Sequence, residues 1–141
     1  MTGPALIDSN ILVYAYDRSE MERSLVASDV INNLARTGLL ILSSQVLAEF
    51  FVAATRRIRH PLTASEATRS VLRYAADFPV VAITGPIVRE ALRGVASYGL
   101  SYWDAQVWAT ARLNQIETIV TEDVPSQDEI EGVRYENPFE H

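Results

Sequence analysis

The chain predicts an α/β fold, a three-layer α/β/α arrangement around a mostly parallel sheet of about four to five strands. Three observations lead there. Short apolar runs alternate with segments of helical periodicity from one end to the other, and breaks carrying cap or turn chemistry separate them, at Gly38, His60-Pro61, Thr84-Gly85-Pro86 and Gly99. Strands joined by helical crossovers pair in parallel and need cover on both faces. The 141 residues, 48% of them hydrophobic, suit one core, so a single domain over residues 1–141 is expected, with no internal repeat, low-complexity tract or linker.

The first element is Ala5-Leu6-Ile7, a buried strand, followed by Asp8-Ser9-Asn10 and a short helical run from Ile11 to Tyr14. After the polar stretch Asp17 to Glu20, helical spacing runs from Met21 to Thr37, with Leu25, Ile31 and Leu34 among its apolar positions and Gly38 as the stop. Leu39 to Leu42 reads as the second strand, and Ser43 or Ser44 as the cap of a helix to about Arg57. Thr63 and Glu66 have the spacing of a capping box and open a helix over Ala64 to Ala75. A third strand is expected at Val80 to Ile83. A helix follows from Thr84-Gly85-Pro86 to about Tyr98, then one capped by Ser101 over Tyr102 to Asn114. Thr118 to Val120 is the fourth strand, and Val133-Arg134-Tyr135 reads as a short edge strand before Asn137-Pro138-Phe139.

Composition narrows the chemistry. Without cysteine there is no disulfide framework, thiolate zinc site or cysteine nucleophile, and two histidines, His60 and His141, cannot build a multi-imidazole zinc site. Carboxylates are the ligands left, and they favour hard cations such as Mg2+ or Mn2+. No signal-peptide pattern or apolar run approaching the ~20 residues of a bilayer span occurs, which implies a cytoplasmic protein without a membrane partner. The net charge of -6 argues at first against a polyanionic partner, but four acids gathered in a metal site account for most of it. All twelve basic residues are arginines.

In open α/β sheets ligands bind beyond the carboxyl ends of the strands. Asp8 follows the first strand and Asp123 the fourth, so both belong to that edge, although either also suits a helix cap or turn. Asp104 heads a helical stripe through Val107, Trp108 and Ala111; its plain role is a first-turn acid after the Ser101 cap. Glu49 borders the face made by Val46, Leu47, Phe50 and Phe51 and is otherwise a solvated helix acid. Like charges ~5 Å apart at an effective dielectric near 20 repel by about 3 kcal/mol, a cost that a divalent cation removes.

With these acids in place the chain resembles the PIN-domain nucleases, particularly the toxins of VapBC-type toxin–antitoxin modules, over essentially its whole length. Leu6-Ile7-Asp8-Ser9-Asn10-Ile11-Leu12-Val13 is similar to the family's first-acid strand end, and Ser44-Gln45-Val46-Leu47-Ala48-Glu49-Phe50 to its second-acid helix. Ser101-Tyr102-Trp103-Asp104-Ala105 resembles the third motif and Ile119-Val120-Thr121-Glu122-Asp123 the fourth. The resemblance implies a metal-dependent endoribonuclease in which Asp8, Glu49, Asp104 and Asp123 are metal-binding and catalytic, with Asn10 and Thr121 orienting ligands or water. It also implies an RNA substrate, a homodimer, and a cognate antitoxin whose C-terminal segment occupies the cleft. The stretch after Asp123 departs from the commoner family ending, which leaves Glu122 and Asp128 as alternatives for the fourth acid.

Two other readings compete. An Asp-dependent phosphatase or receiver also places an Asp after the first strand, but the former wants Asp-x-Asp where this chain has Asp8-Ser9-Asn10, both use a lysine, and no Gly-Lys-Ser/Thr P-loop occurs. A catalytically weak RNA- or partner-binding module is the non-enzymatic alternative. Arg56, Arg57 and Arg59 are candidate RNA contacts, with Arg69 and Arg73 nearby in sequence, against the plainer reading of a solvated helix end. Met21, Phe50, Phe51, Trp103 and Trp108 read as core or interface residues and not as base-stacking platforms.

Overall fold

The structure, a computed structural model, describes residues 3–140; His141 lies outside them. The chain runs β1 (Ala5–Ile7), α1 (Ser9–Tyr14), α2 (Met21–Thr37), β2 (Leu40–Ser43), α3 (Ser44–Arg56), α4 (Ala64–Asp77), β3 (Val80–Val81), α5 (Gly85–Tyr98), α6 (Tyr102–Leu113), β4 (Thr118–Val120), β5 (Glu129–Ile130) and β6 (Val133–Glu136). Six strands form one sheet in the order β3-β2-β1-β4-β6-β5, parallel except for the β5–β6 pair.

Strand alternation sorts the core into two layers. Ala5 and Ile7 of β1 face one side, with Leu40, Leu42 and Val120, where α1 to α4 supply Ile11, Leu12, Ile31, Val46, Phe50 and Tyr74. Leu6 and Ile119 face the other side, against Ile87 and Ala91 of α5 and Trp108 of α6. β1 is buried on both faces, which is why its three residues are apolar without alternation.

The helix boundaries follow their caps. Ser43, not Ser44, caps α3, its hydroxyl accepting from the Val46 N–H at 3.1 Å. Thr63 and Glu66 close the reciprocal capping box on α4. Gly38 and Gly99 end α2 and α5 in left-handed conformations at φ 73° and 67°, which glycine adopts without a Cβ clash.

Three strand expectations need correction. β3 stops at Val81, two residues short of Ile83, because the Ile83 N–H turns to the Ser44 hydroxyl at 3.2 Å as the chain enters the Thr84 cap. The Val133 strand is not an edge: β6 lies between β4 and β5, and the edge is Glu129–Ile130, in a polar segment without a strand pattern. A tight turn at Glu131-Gly132, both at positive φ (49° and 85°), folds β5 back; such turns match strand twist but usually advertise themselves with Asn-Gly or Asp-Gly. Among the described residues there are six strands, against the about four to five expected. Leu25, Met21 and Trp103 are also exposed, so none belongs to the core, whereas Phe50 and Trp108 are fully buried.

Packing of α5 on α6 depends on Gly94. A Cβ built there lies 2.9 Å from the Trp108 ring, and that ring is held by its indole N–H donating to the Ile130 carbonyl at 3.2 Å. Gly94→Ala is expected to lower unfolding free energy by about 1–3 kcal/mol through overpacking. Urea unfolding checks this; a variant as stable as the parent would mean that α5 shifts freely over the ring.

Candidate active site

Register places the first acid. Ile7 pairs with Val120 across the parallel β1–β4 ladder, and the Asp8 N–H continues that ladder to the Val120 carbonyl at 3.0 Å. Asp8 and Thr121 are thus the first residues beyond the same rung. The strand order runs outward in both directions from this β1–β4 seam, so both sit at a topological switch point. Asp8 also caps α1, one oxygen accepting from the Ser9 N–H at 2.8 Å, so the cap role and the edge position coexist.

Thr121 is the hub. Its hydroxyl accepts from the Asn10 amide at 3.2 Å and from the Asp123 N–H at 3.0 Å, leaving its single proton to donate to Asp8 Oδ2 at 2.8 Å. Asn10 is oriented at both ends: its Nδ2 also reaches Asp123 Oδ2 at 3.2 Å and its Oδ1 accepts from the Glu122 N–H at 3.2 Å. The loop after β4 is therefore fixed by side chains from the opening turn of α1, and Asp123 joins Asp8 in one network through Thr121.

Asp8, Asp104 and Asp123 line one cavity of about 280 Å³, together with Thr121, Val107 and Tyr135. Asp104 stands in the first turn of α6, exposed to that cavity, while Ala105 to Ala111 behind it are buried. Glu49 lines a second cavity of about 580 Å³, where it accepts from Ser9 Oγ at 3.2 Å and from Gln45 Nε2 at 3.4 Å. The structure thus brings three of the four acids around one space and sets the fourth beside it, on a serine adjacent to Asp8.

Two further acids go elsewhere. Glu122 forms an ion pair with Arg23 and accepts from the Tyr14 hydroxyl at 2.8 Å, which commits its carboxylate away from the cavity. Asp128 is exposed at the start of the β5–β6 hairpin, its carbonyl accepting from the Tyr135 N–H at 2.9 Å. Arg56, Arg57 and Arg59 are exposed, and Arg57 lines the Glu49 cavity. Arg73 instead donates to the Tyr16 hydroxyl at 3.1 Å, and Arg69 to Ser65 at 3.4 Å.

Burial pushes the Asp8 carboxyl up to about 6, with Glu49 and Asp104 adding like-charge repulsion; the bonds from Thr121 and Ser9 only partly offset this. Glu49 is also raised, first by burial, then by Asp104. Tyr135 is raised by burial and by the charges of Asp104 and Asp8. Sequence reasoning missed Tyr135 and Gln45. The first sits on β6, and its approach to Asp8 follows only once β6 is seen beside β4. Gln45 is buried, and its amide nitrogen donates to the Trp103 carbonyl at 3.1 Å as well as to Glu49, while its oxygen accepts from Gln106 at 3.0 Å. Its spacing of four residues from Glu49 was the one available signal.

These features define a class: a parallel α/β protein whose strand-end carboxylates converge at the switch point of the sheet. A PIN-domain family model matches residues 5–128, and the chain belongs to the PIN-domain family. Comparison with curated proteins finds no match. Among solved structures, a chain of a toxin–antitoxin complex from Klebsiella pneumoniae shares the fold with a TM-score of 0.71 at 21% identity, over 97% of this chain and 99% of that one. A chain of VapBC2 from Rickettsia felis, bound to a promoter DNA fragment, gives 0.66 at 16% identity over 94% and 97%. VapC20 from Mycobacterium tuberculosis, described as a sarcin-ricin loop cleaving toxin, gives 0.62 at 17% identity over 82% and 86%. At these identities the likeness is one of fold.

The raised Asp8 carboxyl makes stability depend on pH in one direction. With chelator present, an acid raised in the folded state from 3.8 to about 6 leaves the fold unpenalised below pH 3.8 and lowers stability as pH rises toward 6. Relative to Asp8→Asn, the metal-free parent is expected to lose on the order of 2 kcal/mol between about pH 4 and pH 7. Denaturant titrations across that range measure the difference; parallel profiles would show that Asp8 ionises freely in the fold.

Proposed function

We propose that this PIN domain, spanning residues 1–141, is a metal-dependent endoribonuclease that hydrolyses RNA phosphodiester bonds. The observation that carries the reading is the meeting of Asp8, Asp104 and Asp123 around one cavity at the strand ends. The donor set suits Mg2+ or Mn2+: every group is a hard oxygen, and the buried Asp8 is raised by burial and flanking acids that a cation would offset. Among the described residues no three acid or imidazole side chains are gathered closely enough to cage an ion unaided.

Asp8, Asp104 and Asp123 would hold the ion, which when bound supplies a Lewis acid that polarises a phosphate oxygen and activates water. Thr121 aims Asp8 and opposes part of the burial effect on its charge, because both Thr121 lone pairs are taken and its proton goes to Asp8. Asn10 fixes Asp123 by the same logic. Glu49, raised by burial and bonded to Ser9, the residue after Asp8, is the group to accept a proton from the attacking water. Arg57 and its exposed neighbours Arg56 and Arg59 supply the positive surface beside the acids that an RNA backbone requires.

The fold likeness to chains of toxin–antitoxin complexes supports a further step: this chain is the toxin of such a pair, a cytoplasmic homodimer held inactive by a cognate antitoxin. Among the described residues no helix is long and apolar enough to cross a membrane.

RNA cleavage by the purified chain is expected with Mg2+ or Mn2+, abolished by EDTA and restored by metal. Asp8→Asn and Asp104→Asn are each expected to reduce it at least a hundredfold while the far-ultraviolet spectrum stays native; unchanged cleavage in both would sink the assignment. Neutralising Arg56 and Arg57 together is expected to weaken RNA binding and to flatten its salt dependence by about 0.7 in log–log slope for each phosphate they neutralise in the parent. Identical affinity at all salt concentrations would remove these arginines from the RNA surface.

A further inference from the structure

The second cavity holds features that the proposed chemistry does not use. Trp103 stands at its lip, 61% exposed, while the other tryptophan, Trp108, is fully buried further along α6. Tyr102 meets the Trp103 ring edge to face, with centroids 5.1 Å apart and planes at 81°, so it does not lie flat on the indole as a stacking partner would. Opposite lie the apolar side chains of Ala48, Val52 and Ala53 on α3 and Ile83 before α5. One end of the groove is Glu49 on Ser9, the residue after Asp8; another lining group is Arg57, whose charge reaches Glu49. An exposed indole, a slot of about 580 Å³, a cation for a phosphate and a direct border with the acid cleft occur together.

Building on the ribonuclease reading, we infer that this groove is the subsite for an unpaired nucleobase flanking the scissile phosphodiester, with Trp103 as its stacking platform and Arg57 as the contact for the adjoining phosphate. Charge complementarity selects a nucleic acid over an apolar peptide, since the groove joins an arginine to an aromatic face, the pairing that single-stranded nucleic acid sites use. The floor amides do not read the base. Gln45 already commits its nitrogen to Glu49 and the Trp103 carbonyl and its oxygen to Gln106, and the Gln106 oxygen accepts from the Tyr102 hydroxyl at 2.7 Å. Selection therefore rests on stacking area, with purines favoured over pyrimidines and duplex RNA excluded because its bases are paired away.

The two tryptophans make the test direct, because Trp103 answers a stacked base by fluorescence quenching while Trp108 stays shielded. The full chain is titrated in EDTA with octaadenylate, octauridylate, an abasic octamer and a blunt RNA duplex. Saturable quenching is expected with octaadenylate, weaker with octauridylate, and absent with the abasic strand and the duplex. Affinity for octaadenylate, followed by anisotropy of an end label, is expected to fall about tenfold in Trp103→Leu and less than about threefold in Trp103→Phe, with the salt slope unchanged in both. Equal affinity of Trp103→Leu and parent, equal quenching by the abasic strand, or no binding by the parent overturns the assignment. So does a Trp103→Leu variant that loses a protein partner yet binds RNA as the parent does, which would make the groove a protein-docking face. Cleavage with added metal separates the two readings: metal-dependent cutting that ignores Trp103 defeats the subsite alone, and Trp103-dependent binding without cutting defeats the ribonuclease alone.

Discussion

The parallel register of β1 against β4 is the constraint on which everything else rests. Pairing Ile7 with Val120 leaves Asp8 and Thr121 one step beyond the ladder, close enough for a 2.8 Å hydrogen bond. A slip of one residue would exchange the layers that Leu6 and its neighbours Ala5 and Ile7 fill, misfitting both cores, so the packing of Ala5 and Ile7 on one helical layer and Leu6 on the other also fixes where Asp8 stands. Core packing and the site are thus specified by the same three residues. Thr121 then converts that placement into direction, since its fully used hydroxyl leaves Asp8 and Asp123 little freedom.

The electrostatics follow from burial. Asp8 is only 7% exposed and stands within the field of Asp104 and Glu49. The ion pairs among the described residues lie elsewhere, as in the cluster of Arg93 and Arg112 with Glu90 and Glu131. Arg93, followed by Tyr98 and Arg112, holds the Glu131 carboxyl down to about 2. The same residue class is therefore stabilised in its charged form on one side of the sheet and penalised at the strand ends. A fold that leaves acids uncompensated in a cleft has given up stability for something other than packing.

Much of this was legible in the residues. The β1 strand, the alternation of layers, the capping box at Thr63, and the positions of Asp8 after a strand and Asp104 in a first helical turn all follow from local pattern, because caps and periodicity are encoded within a few positions. The β5–β6 hairpin was not, since Glu131-Gly132 lacks the usual turn signature and β6 becomes interior only through pairing with a strand that a long polar segment precedes. The division of the quartet, with Glu49 in a second cavity beside the three aspartates, was equally hidden: it depends on how α3 sits over α1. Trp103 ran opposite to its hydrophobicity, for helical phase carries it out of the stripe that buries Trp108. The convergence of the family motifs came from resemblance rather than from periodicity, and the geometry now gives it a physical basis in strand register.

The central place of β1 has a temporal side. The first strand made is flanked in the finished sheet by β2 and by β4, and the latter leaves the ribosome only after roughly a hundred further residues. Until then Asp8 has no Thr121 to aim it and no Asp123 to face, and α1 can cap on Asp8 without any cleft existing. Synthesis of the N-terminal two thirds can yield packed helices but not the site. The arrangement withholds the assembled carboxylates from the growing polypeptide until nearly the whole domain has been translated.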